Sequence, residues 1–222
     1  MFDRMLTLML DQMVQVIAAH ALYAREQLGK DSLDEKVLRA MGRIPRHEFV
    51  PAELVAYAYA DQPLPIGCDK TISQPFIVAL ITDLLDIQPG DKVLEIGTGL
   101  GYHAAILAEL AQQVYSLEII DELAVQAKRR LGLLGYGNIA IRTGNGEYGW
   151  PEHAPYDKIV VCAASELLPA ALIGQLKRGG RMVVPSGLAD AQTLMLVEKT
   201  AEGRIKTREV LPVRFAVLET AD

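Results

Sequence analysis

Between Lys92 and Pro185 the apolar positions gather into short runs of strand length, separated by longer stretches with helical spacing. The runs Lys92 to Ile96, Val114 to Glu118, Ile139 to Arg142, Lys158 to Ala163 and Arg181 to Pro185 predict strands. Tyr102 to Leu110, Asp121 to Leu134 and Leu168 to Leu176 predict helices. A parallel neighbour requires a crossover long enough to hold a helix, so this alternation predicts an α/β fold, a doubly wound, mostly parallel sheet covered on both faces. After Gly187 the character changes: Thr193 to Lys199 and Lys206 to Phe215 predict two strands joined through Ala201 to Gly203, a C-terminal antiparallel hairpin on the same sheet.

Upstream the spacing is helical. Met5, Met9, Met13, Val16 and Ile17 form one apolar stretch, and Leu33, Val37, Leu38 and Met41 another, with Asp31 to Asp34 offering caps for free amides. The apolar run Leu6 to Ala19 has Asp3 ahead of it, Asp11 inside it and no basic leader, and is too short to span a bilayer. It predicts a buried or partly buried helix. Ile44 to Pro51 breaks the helical pattern, and the Pro-bearing Gln62 to Gly67 leads through Thr71 to Pro75 into a helix ending at Leu85. Residues 1–60 are expected as a helical extension packed on the core, and residues 61–222 as the ligand-binding domain.

Candidate chemistry collects at the strand ends. Gly97, Gly99 and Gly101 follow the first strand of the sheet and open a helix, where the backbone can approach a ligand closely and free amides can face a carboxylate or phosphate. A dinucleotide fingerprint would place its third glycine at position 102; Tyr102 stands there, which points away from NAD. Glu118 ends the second strand about 20 residues after the glycine loop, where a carboxylate can accept from both ribose hydroxyls of an adenosine. Gly144, Asn145 and Gly146 follow the third strand at the same edge; a side-chain oxygen there can accept from an adenine amine, and glycine lets an amide reach a ring nitrogen.

Composition narrows the options. With 22 basic and 28 acidic side chains the net charge is −6, so no general attraction for nucleic acid or an anionic membrane is expected. Cys68 and Cys162 make no disulfide framework, and with four scattered histidines they show no zinc-ligand spacing, so no metal site is expected and a reduced cytoplasmic setting fits. Lys177 to Arg181 reads as a helix stop, Trp150 as core packing beside the pocket, His103 as a surface or packing residue, and no histidine has a recognisable partner.

Taken together, Ile44 to Pro51, Leu64 to Gly67, Thr71 to Pro75, Val93 to Tyr102, Leu134 to Tyr136, Gly149 to Glu152, Gln175 to Arg181 and Pro212 to Phe215 resemble the protein-L-isoaspartate O-methyltransferase family. The resemblance implies a Rossmann-like enzyme, expected as a monomer, that uses S-adenosyl-L-methionine to methylate the α-carboxylate of isoaspartyl residues in damaged proteins. It implies Ser73 as the active-site residue. It also implies a cofactor site built from Thr71, Ile72, Ser73, Glu95, Gly97, Thr98, Gly99, Leu100, Gly101, Glu118, Ile119, Gly144, Asn145 and Gly146. Three positions depart from the family pattern: Asn145 replaces an aspartate, Cys68 to Lys70 replaces a glycine-rich stretch ending in Gln, and Phe215 to Leu218 replaces a Phe-Val-Pro-Leu type string. Two other readings stay open: a relative acting on a carboxylate in a dedicated peptide or small molecule, and a non-catalytic cofactor-binding module.

Overall fold

A computed structural model describes residues 2–220 of the chain. Helices α1 (Phe2–Tyr23), α2 (Arg25–Leu28) and α3 (Glu35–Met41) come first, followed by a two-stranded antiparallel hairpin, β1 (Leu64–Gly67) and β2 (Lys70–Ile72), and by α4 (Pro75–Leu85). The main unit then runs β3 (Lys92–Ile96), α5 (Tyr102–Ala108), β4 (Gln113–Glu118), α6 (Asp121–Leu133), β5 (Ile139–Thr143), β6 (Tyr156–Val161), α7 (Ala170–Gln175), β7 (Leu176–Leu188), β8 (Ala191–Lys199) and β9 (Ile205–Val213). Its seven strands lie in the order β5-β4-β3-β6-β7-β8-β9. The first five are mutually parallel, and β8 and β9 add antiparallel, as the alternation and the terminal hairpin predict.

The order places β3 at the reversal point, with β4 on one side and β6 on the other. In an open parallel sheet that reversal leaves a crevice at the carboxyl ends of the strands. Covered on both faces, β3 and β6 are nearly continuous apolar strands, and Val93, Leu94, Ile96, Ile159, Val160 and Val161 are all buried. The outer edge strand β9 is mostly exposed and carries Lys206, Arg208 and Glu209, charges that disfavour pairing with another chain.

Ten of the eleven residues of α4 are buried, because the helix is sandwiched between α1 and α3 on one side and α5, β6 and β7 on the other. Pro75 at its first turn presets the helical φ and lacks the amide that would be unpaired there. The N-terminal helix α1 packs on α4 through Leu10, Met13, Ile17 and Ala21. Two expectations change here. Val16 and Met5, predicted on the apolar face, are 42% and 56% exposed, because the contact face follows positions 10, 13, 17 and 21. The helix is also longer than its apolar run: Arg4–Tyr23 has the length and mean hydropathy, 1.4, of a membrane span, so shortness does not exclude one.

The β1–β2 hairpin is absent from the sequence prediction. Its turn uses Cys68 (φ 52°) and Asp69 (φ 55°), both left-handed, the conformation of a two-residue turn that usually carries Asn-Gly or Asp-Gly. Neither dipeptide is present, and Pro63 and Pro65 read as loop.

Candidate active site

A cavity of about 560 Å³ opens at the carboxyl edge of β3, β4, β5 and β6. Its floor is the β3–α5 loop, Ile96 to Leu100; one wall is the β1–β2 hairpin with Thr71 to Gln74, and the opposite wall is Pro212 to Glu219. Of the residues expected at the cofactor, Thr71, Ile72, Ser73, Gly97, Thr98, Gly99, Leu100, Ile119, Gly144 and Gly146 line it. Glu95, Gly101, Glu118 and Asn145 are not among the lining residues.

The glycine loop is built for a close turn. Gly97, Gly99 and Gly101 have φ of +93°, +54° and +95°, values that side chains other than glycine's disfavour. Gly146 answers a different demand: a Cβ there would lie 2.2 Å from Ile96 Cγ2. The loop's own amides are occupied, which leaves the ligand the amides of the first turn of α5. Gly97 N and Thr98 N donate to Leu117 O (2.8 and 3.3 Å), Gly101 N donates to Thr98 O (2.9 Å), and Gly99 N donates to Glu118 Oε2 (2.7 Å). Buried amides need partners, and the sheet edge supplies them.

Glu118 therefore has a task that spacing does not reveal. Its Oε2 holds Gly99, its Oε1 accepts from Ile120 N at 3.1 Å, and the side chain is buried beside the lining residue Ile119. Two carboxylate oxygens offer about four lone-pair sites, so acceptor capacity remains for a ligand. Asn145 Oδ1 accepts from Glu147 N at 2.9 Å and caps the short 3-10 turn Gly146–Tyr148.

Beneath the loop lies a polar cluster. Glu95 is fully buried, Ser116 Oγ donates to its Oε2 at 2.5 Å, and its Oε1 has no hydrogen-bond partner. Burial pushes the Glu95 carboxyl up to about 8, with the Ser116 bond opposing and the Glu118 charge adding to the rise. His103 Nε2 lies 3.1 Å from Thr82 Oγ1, its Nδ1 lies 3.5 Å from Cys162 Sγ and 4.0 Å from Glu95 Oε1, and burial lowers it to about 3. Burial holds the Cys162 thiol well above its ordinary range, and nearby Glu95 and Glu118 raise it further. At neutral pH the imidazole and the thiol of this floor are uncharged.

His103 is thus neither at the surface nor without a partner, and it lines the cavity. The other histidines are partnered too: His20 pairs with Asp61 at 2.5 Å, His47 Nδ1 lies 2.6 Å from Tyr59 Oη, and His153 stacks on Tyr115. Long-range pairing leaves no spacing signal in a sequence. Trp150 is core as expected, but it packs on Tyr115 and under Arg142, away from the cavity lining.

Arg46 and Asp61 are missed by the sequence reading. Fully buried, Arg46 donates through Nε to Ala58 O (2.9 Å) and through Nη2 to Ser73 O (2.7 Å), with its guanidinium 4.7 Å from the Tyr102 ring centre. Asp61 accepts from Gln74 Nε2 and Phe76 N, each at 2.8 Å. Together they fix the chain from Ser73 O through the Gln74 side chain to Phe76 N. No local signal singles Arg46 out, because it stands next to His47 and Glu48 in the Ile44–Val50 segment.

A cavity of nucleoside size at the reversal point of a doubly wound sheet, with a glycine-loop floor and an unpaired buried carboxyl oxygen, defines a Rossmann-like protein that binds a nucleoside cofactor. More particularly, the chain belongs to the protein-L-isoaspartate(D-aspartate) O-methyltransferase family, whose model matches residues 20–221. It is 60% identical over 210 residues to protein-L-isoaspartate O-methyltransferase 1 of Polaromonas sp. (strain JS666), covering 95% of this chain and 89% of that one. A second protein of that organism, protein-L-isoaspartate O-methyltransferase 2, is 55% identical over 93% of this chain and 98% of its own. Among solved structures, a protein-L-isoaspartate O-methyltransferase superposes with a TM-score of 0.81 at 29% identity, covering 94% of this chain; this chain spans 65% of that one. A Plasmodium falciparum structure in complex with S-adenosyl-L-homocysteine shares the fold with a TM-score of 0.74 at 23% identity, covering 91% of this chain and 98% of that one.

Proposed function

We propose that this chain transfers a methyl group from S-adenosyl-L-methionine to the free α-carboxylate of L-isoaspartyl residues in damaged proteins. The observation that carries the reading is the convergence of Thr71, Ile72 and Ser73 with the glycine loop, Ile119, Gly144 and Gly146 on one cavity, from segments far apart in the chain. The residues suit the cofactor. Glu95 Oε1 is an unpaired acceptor for an ammonium, Ile66, Ile119 and Leu123 offer an apolar surface for a base, and Glu118 keeps acceptor capacity for ribose hydroxyls. Asn145 contributes through the turn that it caps.

When bound, the cofactor supplies an electrophilic methyl on a sulfonium centre. The protein's share is positioning. A carboxylate acceptor, with a reference pKa near ~4, is already ionised at neutral pH, so no general base is needed, and the uncharged His103 is not required as one. The hydroxyls of Thr71 and Ser73 orient the acceptor, Arg46 and Asp61 hold the segment that carries them, and the two flanking walls exclude water. Residues 1–60 are read as a helical extension and 61–222 as the catalytic domain, a division supported by every strand lying after residue 60. A monomer in a reducing, cytoplasmic setting completes the proposal, supported by two free thiols, Cys68 and Cys162.

A second reading, methylation of a carboxylate in a dedicated peptide or small molecule, is favoured by one observation: Lys70 pairs with Glu219 at 2.5 Å and joins the two walls of the cavity. Methyl transfer to an isoaspartyl peptide and to its normal aspartyl twin separates the readings. The isoaspartyl peptide is expected to be methylated and its twin not, with Ser73→Ala slowing transfer by about tenfold or more. Methylation of neither peptide overturns the repair reading.

A further inference from the structure

The buried cluster beneath the glycine loop has a geometry that cofactor binding does not use up. Glu95, His103 and Cys162 each offer a ligand atom within 4.8 Å of the others, His103 Nδ1 lies 3.5 Å from Cys162 Sγ and 4.0 Å from Glu95 Oε1, and His103 and Cys162 face the cavity. Hydrogen bonding decides which imidazole nitrogen is bare. Thr82 spends its one hydroxyl proton on Val78 O at 2.8 Å, so at 3.1 Å it accepts from His103 Nε2–H. Nδ1 therefore carries a lone pair, and it points at the thiol and the carboxyl. This is the outer support that orients a metal-ligating histidine, a second N–H tied to a fixed oxygen. Glu95 Oε1 adds an acceptor that is fully buried and unsatisfied.

We propose that Glu95, His103 and Cys162 form a binding site for a thiophilic divalent cation of the zinc type, and that its occupation excludes the amino-acid end of the cofactor. A tetrahedral ion with bonds of about 2.0–2.3 Å needs donors about 3.3–3.7 Å apart, so side-chain adjustments of the order of 1 Å close the set. Three protein ligands leave the fourth position open toward the cavity, the pattern of an exchangeable ion. On binding, Cys162 gives up its thiol proton to solvent and Glu95 any carboxyl proton; thiolate and carboxylate neutralise the two charges of the ion. Exclusion follows because the ion takes Glu95 Oε1, the acceptor assigned above to the cofactor ammonium. That second part rests on the proposed cofactor site; the metal site itself does not.

The test uses the untagged full chain carrying Cys68→Gly, which leaves Cys162 as the sole thiol and places glycine where φ is positive. Co²⁺ titration is expected to develop a near-ultraviolet thiolate charge-transfer band that Zn²⁺ abolishes. Adding Cys162→Ala is expected to remove the band, and Thr82→Val to weaken Co²⁺ binding 10- to 100-fold, the usual cost of losing such a support. No binding, binding without the band, or a band that survives Cys162→Ala overturns the site. S-adenosylhomocysteine is expected to displace Co²⁺; a band unchanged at saturating S-adenosylhomocysteine overturns the exclusion. Calorimetry of S-adenosylhomocysteine with the metal-free chain stands apart: its failure would sink the cofactor assignment while leaving the band intact.

Discussion

Glu95 is fully buried near the carboxyl end of β3, a place where a carboxyl is costly unless a ligand uses it. Its ordinary value of 4.5 is raised to about 8, so between those values the folded chain keeps a proton that the unfolded chain has released, and stability falls as pH rises. His103 acts in the other direction: lowered from 6.5 to about 3, it refuses a proton that the unfolded chain accepts, and stability falls as pH drops below 6.5. Between pH 6.5 and 8 only Glu95 of the two contributes, and Cys162 enters above its ordinary thiol value of 9.0. The ligand-free chain is expected to lose about 1–2 kcal/mol over that window, and Glu95→Gln to flatten the loss. Thermal unfolding at the two pH values measures it; an equal loss in the variant removes Glu95 as the cause. Glu118 gives a second prediction. Truncation to Ala is expected to weaken S-adenosylhomocysteine by about 1.5–3 kcal/mol, the range for hydrogen bonds to a charged group. Calorimetry decides, and unchanged affinity would leave Glu118 only its grip on Gly99. At this scale the glycines, Ser73 and the acidic strand end were legible as residue types. The bonds that occupy the loop amides, and the Arg46 contact to Ser73, join residues distant in the chain and have no local signature.

Among the elements, the β1–β2 hairpin carries the largest local conflict between sequence and structure. Cys68 pays for a left-handed backbone without the relief that glycine has, at a cost of about 1 kcal/mol, while Asp69 tolerates that region better. Cys68→Gly is expected to raise unfolding stability by up to about 1 kcal/mol, reduced by the extra freedom of glycine in the unfolded chain. Denaturant unfolding checks this, and a loss of stability would show that the turn strain is absent. The hairpin walls the cavity, and strained turns concentrate at such places. The parallel strands were legible for the opposite reason: each is a short apolar run buried on both faces, and burial imposes composition. Element ends were less legible, as at β7, which begins at Leu176 rather than Arg181 because it pairs back to Tyr156 before an irregularity in register.

Over the whole molecule, the apolar residues of the N-terminal helices belong to the same cluster as α4 and part of the sheet. Ile17 is fully buried there, and Ile17→Ala is expected to cost about 2–5 kcal/mol and to lower a single unfolding transition. Two separated transitions would instead make the extension an independent unit. The chain by itself determined the alternation of strands and helices, the terminal antiparallel hairpin and the glycine loop, because periodicity and the backbone needs of glycine act over neighbouring residues. Only the tertiary structure decided what meets at the cavity: the strand order that opens a crevice beside β3, the Ser73 segment held over it by Arg46 and Asp61, and the buried Glu95 and His103 with the half-buried Cys162 below. Those contacts depend on which strands become neighbours, and that choice is made by packing across the whole core, beyond the reach of any local pattern.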